Sequence, residues 1–119
     1  MSRQSGHAER RRHSRVPAKI PFHLLTDGND EPFDLVDLSE SGVRIQSPRA
    51  LVPMTRIRVR MVLPAARVGE PKDLRMDTHG VVVWSHKVPH ETSYDVGVFF
   101  SELDDRERAL LRSYVRSHA

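Results

Sequence analysis

Four arginines, Arg10, Arg11, Arg12 and Arg15, fall within six positions near the start of this 119-residue chain. Arginine presents a planar fork of N–H donors. The fork matches phosphate oxygens, grips a guanine edge through two contacts and stacks on flat rings. A solvated tail would take lysine as readily. A second loaded stretch, Asp37-Leu38-Ser39-Glu40-Ser41-Gly42, supplies a carboxylate, a hydroxyl and a glycine where a strand is expected to end. Asp, Ser and Gly are also ordinary turn residues, and a tight connection capped by its own side chains would use the same types. The glycine is expected to permit a backbone conformation closed to other residues.

One hairpin joins the two stretches. If residues 16–26 and 31–38 fold about Gly28-Asn29, antiparallel partners have position numbers that sum to about 57. Arg15 then lies opposite Gly42, and Ala18 opposite Ser39. The arginines and the DLSESG turn meet at one end of the hairpin. Asp37 would repel a plain polyphosphate. It suits the N–H donors on the Watson–Crick edge of guanine, while an arginine takes O6 and N7 of the same base. The mixed set asks for a ligand with both phosphate and guanine.

The rest of the chain must position these residues. A hydrophobic content of 38% with 29% charged residues is that of one small globular domain. No apolar run approaches the ~20 residues of a membrane span. The start of the chain lacks the apolar segment of a secretory signal. There is no cysteine, hence no disulfide or thiolate metal site. Residues 1–15 hold five arginines against one acid, whereas the remainder is close to neutral. A basic arm on a neutral body suggests an anionic partner, although such runs also serve as solubilising tails.

Residues 1–8 show no periodicity and read as a disordered tail. VPAKIPFHLLT (16–26) carries Pro17 and Pro21 and belongs at a sheet edge or bend. DGND (27–30) is a turn signal. EPFDLVDLS and GVRIQS (42–47) read as the next strands. In RIRVRMVL (56–63) the apolar side chains alternate with Arg56, Arg58 and Arg60, which read as a solvated strand face. PAARVGEPKD (64–73) reads as a loop, followed by strands in LRMDTHGVVVWSHKV and SYDVGVFFS. Short strands without intervening helices indicate an antiparallel barrel or sandwich. The chain ends in an amphipathic helix, with Asp104 and Glu107 spaced as N-cap and capping partner.

These residues resemble the PilZ domain family of bacterial cyclic di-GMP receptors. Arg11-Arg12-His13-Ser14-Arg15 matches that family's RxxxR motif. Asp37-Leu38-Ser39-Glu40-Ser41-Gly42 matches its [D/N]xSxxG motif. GVVVWSH, with Gly80 and Trp84, is similar to a later strand, and YDVGVFFSELDDRERALLRSYV, with Gly97, to the last strand and closing helix. The likeness spans about residues 9–117. It implies an all-β-dominated fold: a six-stranded antiparallel β-barrel over 16–101, a C-terminal α-helix over 103–117 and a flexible arginine arm over 9–15. It implies cyclic di-GMP as ligand, with Arg11 and Arg15 on phosphate and guanine, Asp37 and Ser39 on a guanine edge, and Gly42 shaping the turn. Arg10 stands where the family has an arginine that goes with a stacked nucleotide dimer, so two molecules per chain are expected. Arg12 and Trp84 are placed near the ligand, although a lone Trp in an apolar strand commonly belongs to the core. The resemblance further implies a cytoplasmic receptor that orders its arm on binding and signals to a downstream protein.

Two other functions compete. A nucleic-acid-binding barrel usually displays aromatics for base stacking, and most of the seven aromatics here occupy core-like positions. A protein-interaction adaptor would need no nucleotide. Nothing in the chain reads as an enzyme or a metal site. The seven histidines are scattered, and His79 and His86 would point to opposite faces of a regular strand. No G-x-S-x-G turn or phosphate-cradling glycine loop is present.

Overall fold

The computed structural model of the chain describes residues 14–117 apart from position 27. Eight strand segments form one antiparallel sheet: β1 (Val16–Pro17), β2 (Phe22–Thr26), β3 (Asn29–Pro32), β4 (Asp34–Leu38), β5 (Gly42–Ser47), β6 (Arg56–Leu63), β7 (Leu74–Lys87) and β8 (Tyr94–Phe100). Their order across the sheet is β1-β4-β5-β8-β7-β6-β2-β3. β1 and β2 are two halves of one strand, broken over residues 18–21 between its two prolines. β3 and β4 are likewise separated only by Phe33. The first hairpin therefore holds both ends of the sheet. Its β1–β4 half pairs with β5 and its β2–β3 half with β6. Counted by continuous chain, this is the expected six-stranded architecture, curled back on itself.

The hairpin register departs from expectation. Thr26 pairs with Asn29, so the turn is centred one position earlier than Gly28-Asn29. Gly28 supplies the left-handed conformation there (φ 80°). The interruption at 18–21 adds a further offset, and Val16 faces Leu38. Arg15 thus lies near Ser39 in the ladder rather than opposite Gly42.

Alternation on β5, β6, β7 and β8 sends Val43, Ile45, Val59, Met61, Leu63, Val82 and Val96 into one core, each at most 1% exposed. Full burial of each such side chain contributes about 1.5–3 kcal/mol. The segment read as a loop after β6 holds one helical turn, α1 (Ala65–Val68). Gly69 ends it at φ 70°, and the Asp73 carboxylate accepts the Ala65 N–H at 2.8 Å. Helix α2 (Asp105–Arg116) starts at the expected capping box. The Glu107 N–H donates to Asp104 (2.7 Å), and the Asp104 N–H donates to Glu107 (3.0 Å). Leu110, Leu111, Tyr114 and Val115 of α2 join the barrel core. Among the described residues no helix is long and apolar enough to cross a membrane.

Candidate functional site

Two irregularities in the strands build the site. In β4 the pairing passes from Leu35–Ile45 to Asp37–Arg44, leaving Val36 as an extra residue. Strict alternation from the buried Leu35 would point Asp37 inward. The bulge turns it outward and lets Leu38 return to the core. In β7 the pairing passes from Val82–Val98 to Trp84–Gly97, with Val83 left over. That bulge turns Trp84 outward. It also corrects the expectation for His79 and His86: the strand is not regular, and both belong to its outer face. Among the described residues no group of His, Cys, Asp or Glu could hold a metal ion.

Consecutive pairings now set Pro17, Asp37, Arg44, Gly97 and Trp84 in one row across the outside of the sheet. Arg15, two residues before Pro17, shares its face and reaches Asp37 diagonally. Its Nε donates to Oδ1 at 2.8 Å, and its Nη2 lies 2.8 Å from the same oxygen. The Nε of Arg44 donates to Oδ2 at 3.1 Å, and its Nη1 lies 3.9 Å from Asp95. The Asp37 side chain is only 16% exposed, while both guanidiniums remain well exposed. One carboxylate is gripped by two cations that still face solvent. Arg44 did not figure among the expected site residues. Its place in an alternating strand beside the motif was the available signal.

Ser39 is fully buried. Its hydroxyl accepts the Ser41 and Gly42 N–H groups, both at 3.1 Å, and lies 3.3 Å from the Gly42 carbonyl. The serine braces the turn from beneath. Gly42 is required for a different reason from the one expected. Its φ is not positive; a β-carbon there would collide with the Val98 carbonyl oxygen as β5 meets β8. A β-carbon at Gly97 would strike the indole of Trp84, which leans across it. Trp84 is partly exposed and stacks on His86, with ring centroids 5.1 Å apart. Arg112 of α2 reaches Glu40 in the same turn at 3.4 Å.

These side chains surround a pocket of about 430 Å³. Arg15, Asp37 and Arg44 form its polar side, and Val83, Trp84 and Phe99 its apolar side. Of the expected residues, the structure brings Arg15, Asp37, Gly42 and Trp84 to this pocket, with Ser39 below it. Arg10, Arg11 and Arg12 lie outside the described residues. A larger groove of about 800 Å³ follows Arg56, Arg58 and Arg60 on another part of the sheet. Its cations are largely engaged: Arg60 with Asp77 and Asp30, and Arg56 with Glu102. That groove is a salt-bridged strand face.

A small antiparallel barrel with a terminal helix, carrying a cationic and aromatic pocket on its outer surface, is the class this geometry defines. A family model of the PilZ domain matches residues 9–117, and the chain belongs to the PilZ domain family. Solved structures share its fold, among them the following three. The inhibitor of motility MotI/DgrA of Bacillus subtilis aligns with a TM-score of 0.76 and 16% identity, over 89% of this chain and 49% of that one. The PilZ domain of YcgR from Escherichia coli, solved with c-di-GMP, aligns at 0.62 and 19%, over 92% and 91%. The MrkH–c-di-GMP complex of K. pneumonia aligns at 0.60 and 15%, over 89% and 51%. The chain spans about half the length of the MotI/DgrA and MrkH chains. At these identities the likeness concerns the fold. No curated protein matches the chain significantly.

Proposed function

We propose that this chain is a cyclic di-GMP receptor that binds the nucleotide in the Arg15–Asp37–Trp84 pocket and passes the signal to a partner protein in the cytoplasm. The carrying observation is the double clamp on Asp37, in which Arg15 and Arg44 hold opposite oxygens of one carboxylate. An ionised carboxylate has about four acceptor sites, so it can also take N–H donors from a guanine edge. Arg15 exchanges the carboxylate for a phosphate or for guanine O6 and N7, one charge-assisted contact for another. Arg44 stays on Asp37 and keeps a counter-charge beside it. Arg10 and Arg11 contribute further phosphate contacts, with Arg12 near the ligand, and two stacked nucleotides are held per chain. Ser39 and Gly42 act by holding the turn that carries Asp37.

The domain binds and does no chemistry on its ligand. The Arg112–Glu40 contact joins the motif turn to α2 and offers a route by which occupancy reaches the C-terminal helix. Support for this reading comes from the family membership and from the two similar PilZ structures solved with c-di-GMP. Equilibrium binding of cyclic di-GMP against cyclic di-AMP tests it. Adenine has no N1–H or 2-amino donor for Asp37, so the guanine nucleotide should bind well and the adenine nucleotide poorly. Equal affinity for the two removes the guanine assignment. Binding of neither favours a nucleotide-independent adaptor.

A further inference from the structure

One wall of the pocket has no role in the proposed contacts. His86 covers one face of the Trp84 indole, at 5.1 Å between centroids and 25° between planes. In the β7–β8 ladder His86 faces Asp95, Trp84 faces Gly97, and Val81 faces Phe99. Along the strand axis the outward rings therefore run His86, Trp84, Phe99. Phe99 follows Trp84 in the ladder on the side away from His86, which covers the other face of the indole. Gly97, over which the indole leans, stands two residues from Phe99, a separation of about 6.7 Å along a strand. That is close to twice the ~3.4 Å rise of stacked bases. A backbone spacing of this size leaves room for one flat ring between two side chains that stand out from the same face of the sheet.

Phe99 is 51% exposed, and Val83, put outside by the bulge, is 46% exposed. Isolated exposed apolar residues are common on protein surfaces. These two line the same pocket as Asp37 and Arg44. Gly42, directly across from Phe99 on β5, has no side chain to fill the space between them and the motif turn. A purine has apolar faces and a polar edge. Rings on either side and a clamped carboxylate at the margin match both features.

We infer that Phe99 is a ligand-stacking residue, forming with Trp84 the two walls of a slot for one guanine ring. Phe99 takes this role only within the cyclic di-GMP binding proposed above. A docking patch for a protein, made of Val83 and Phe99, is the competing use of the same side chains.

Calorimetry with cyclic di-GMP on wild type, Phe99→Ala and Phe99→Tyr separates these. Phe99→Ala should weaken binding roughly five- to a hundredfold, the usual effect of taking an aromatic from a base. Phe99→Tyr should restore most of the loss. The salt dependence should stay that of wild type, because no charge has been removed. Because Phe99 is half exposed, both variants should stay folded, with at most a small drop in the unfolding temperature for Phe99→Ala. Wild-type binding with Phe99→Ala unaffected overturns the slot alone, as does a Tyr variant as weak as the Ala variant. If wild type itself does not bind cyclic di-GMP, the proposed function falls and the slot with it.

Discussion

Arg15 and Asp37 hold each other: two guanidinium nitrogens lie 2.8 Å from one carboxylate oxygen, across the 22 positions that separate them in the chain. A ligand that engages Arg15 either competes with Asp37 for it or uses the guanidinium N–H groups that Asp37 leaves free. Replacing Arg15 by Ala removes a charge-assisted contact worth ~1.5–3 kcal/mol, or about ten- to over a hundredfold in affinity. Arg11→Ala should act similarly. The Arg15 side chain is 45% exposed, so thermal stability should change little. Titration calorimetry with cyclic di-GMP reads the first effect and a melting curve the second. Full binding by Arg15→Ala would contradict the site.

Arg44 acts through Asp37, whose other oxygen it holds at 3.1 Å. Asp37→Ala should weaken cyclic di-GMP binding and narrow its preference over cyclic di-AMP. Adding Arg44→Ala to that variant should cost little more, because the group it orients is gone. Non-additivity of this kind is what residues in one network show. Affinities of the two single variants and the double variant make the test. Strictly additive losses would assign Arg44 an independent role.

Gly42 and Gly97 respond differently to the same substitution. At Gly42 a methyl meets the backbone carbonyl of Val98, which cannot move without parting β5 from β8. Gly42→Ala should destabilise the fold by about 1–3 kcal/mol, as overpacking does. At Gly97 the methyl meets the end of the Trp84 side chain, which can rotate away. Gly97→Ala should leave a folded protein with weaker nucleotide binding and an altered emission from Trp84, the chain's one tryptophan. Denaturant melts and fluorescence spectra distinguish the two; equal stability losses would refute the contrast.

Much of this architecture was legible from local rules. The alternation of RIRVRMVL marked β6 to the residue, GVRIQS matched β5, and the Asp104–Glu107 spacing announced the cap of α2. The bulges were harder to see, because one extra residue leaves composition unchanged and only breaks a period of two. The apolar Leu35 and Leu38, three apart within a strand, were the visible trace of the first. The Val-Val-Val run before Trp84 hid the second, since any of its members fits either face. Hairpin register depended on a turn centred one position early and on a break between two prolines, neither of which periodicity measures. Arg15 still meets Asp37 because a long side chain tolerates that offset. Burial of Ser39 was equally hidden: a serine in a turn motif looks the same whether it faces solvent or braces the turn from below.

Arg10 bears on stoichiometry. A second nucleotide stacked on the first doubles the phosphate charge, which two arginines would leave incompletely neutralised. Wild type should therefore saturate at two cyclic di-GMP per chain, and Arg10→Leu should move the value toward one without abolishing binding. Calorimetric stoichiometry at saturating ligand reads this directly. A wild-type value of one would overturn the expectation.

The most direct test of the central claim locates the ligand on the surface. In a titration of the isotopically labelled chain with cyclic di-GMP followed by NMR, the Asp37, Gly42, Arg44 and Gly97 amides and the Trp84 indole N–H should shift together and saturate. The amides of Arg56, Arg58 and Arg60, in the larger groove, should stay in place. Shifts confined to that groove, or none anywhere at saturating nucleotide, would contradict the account.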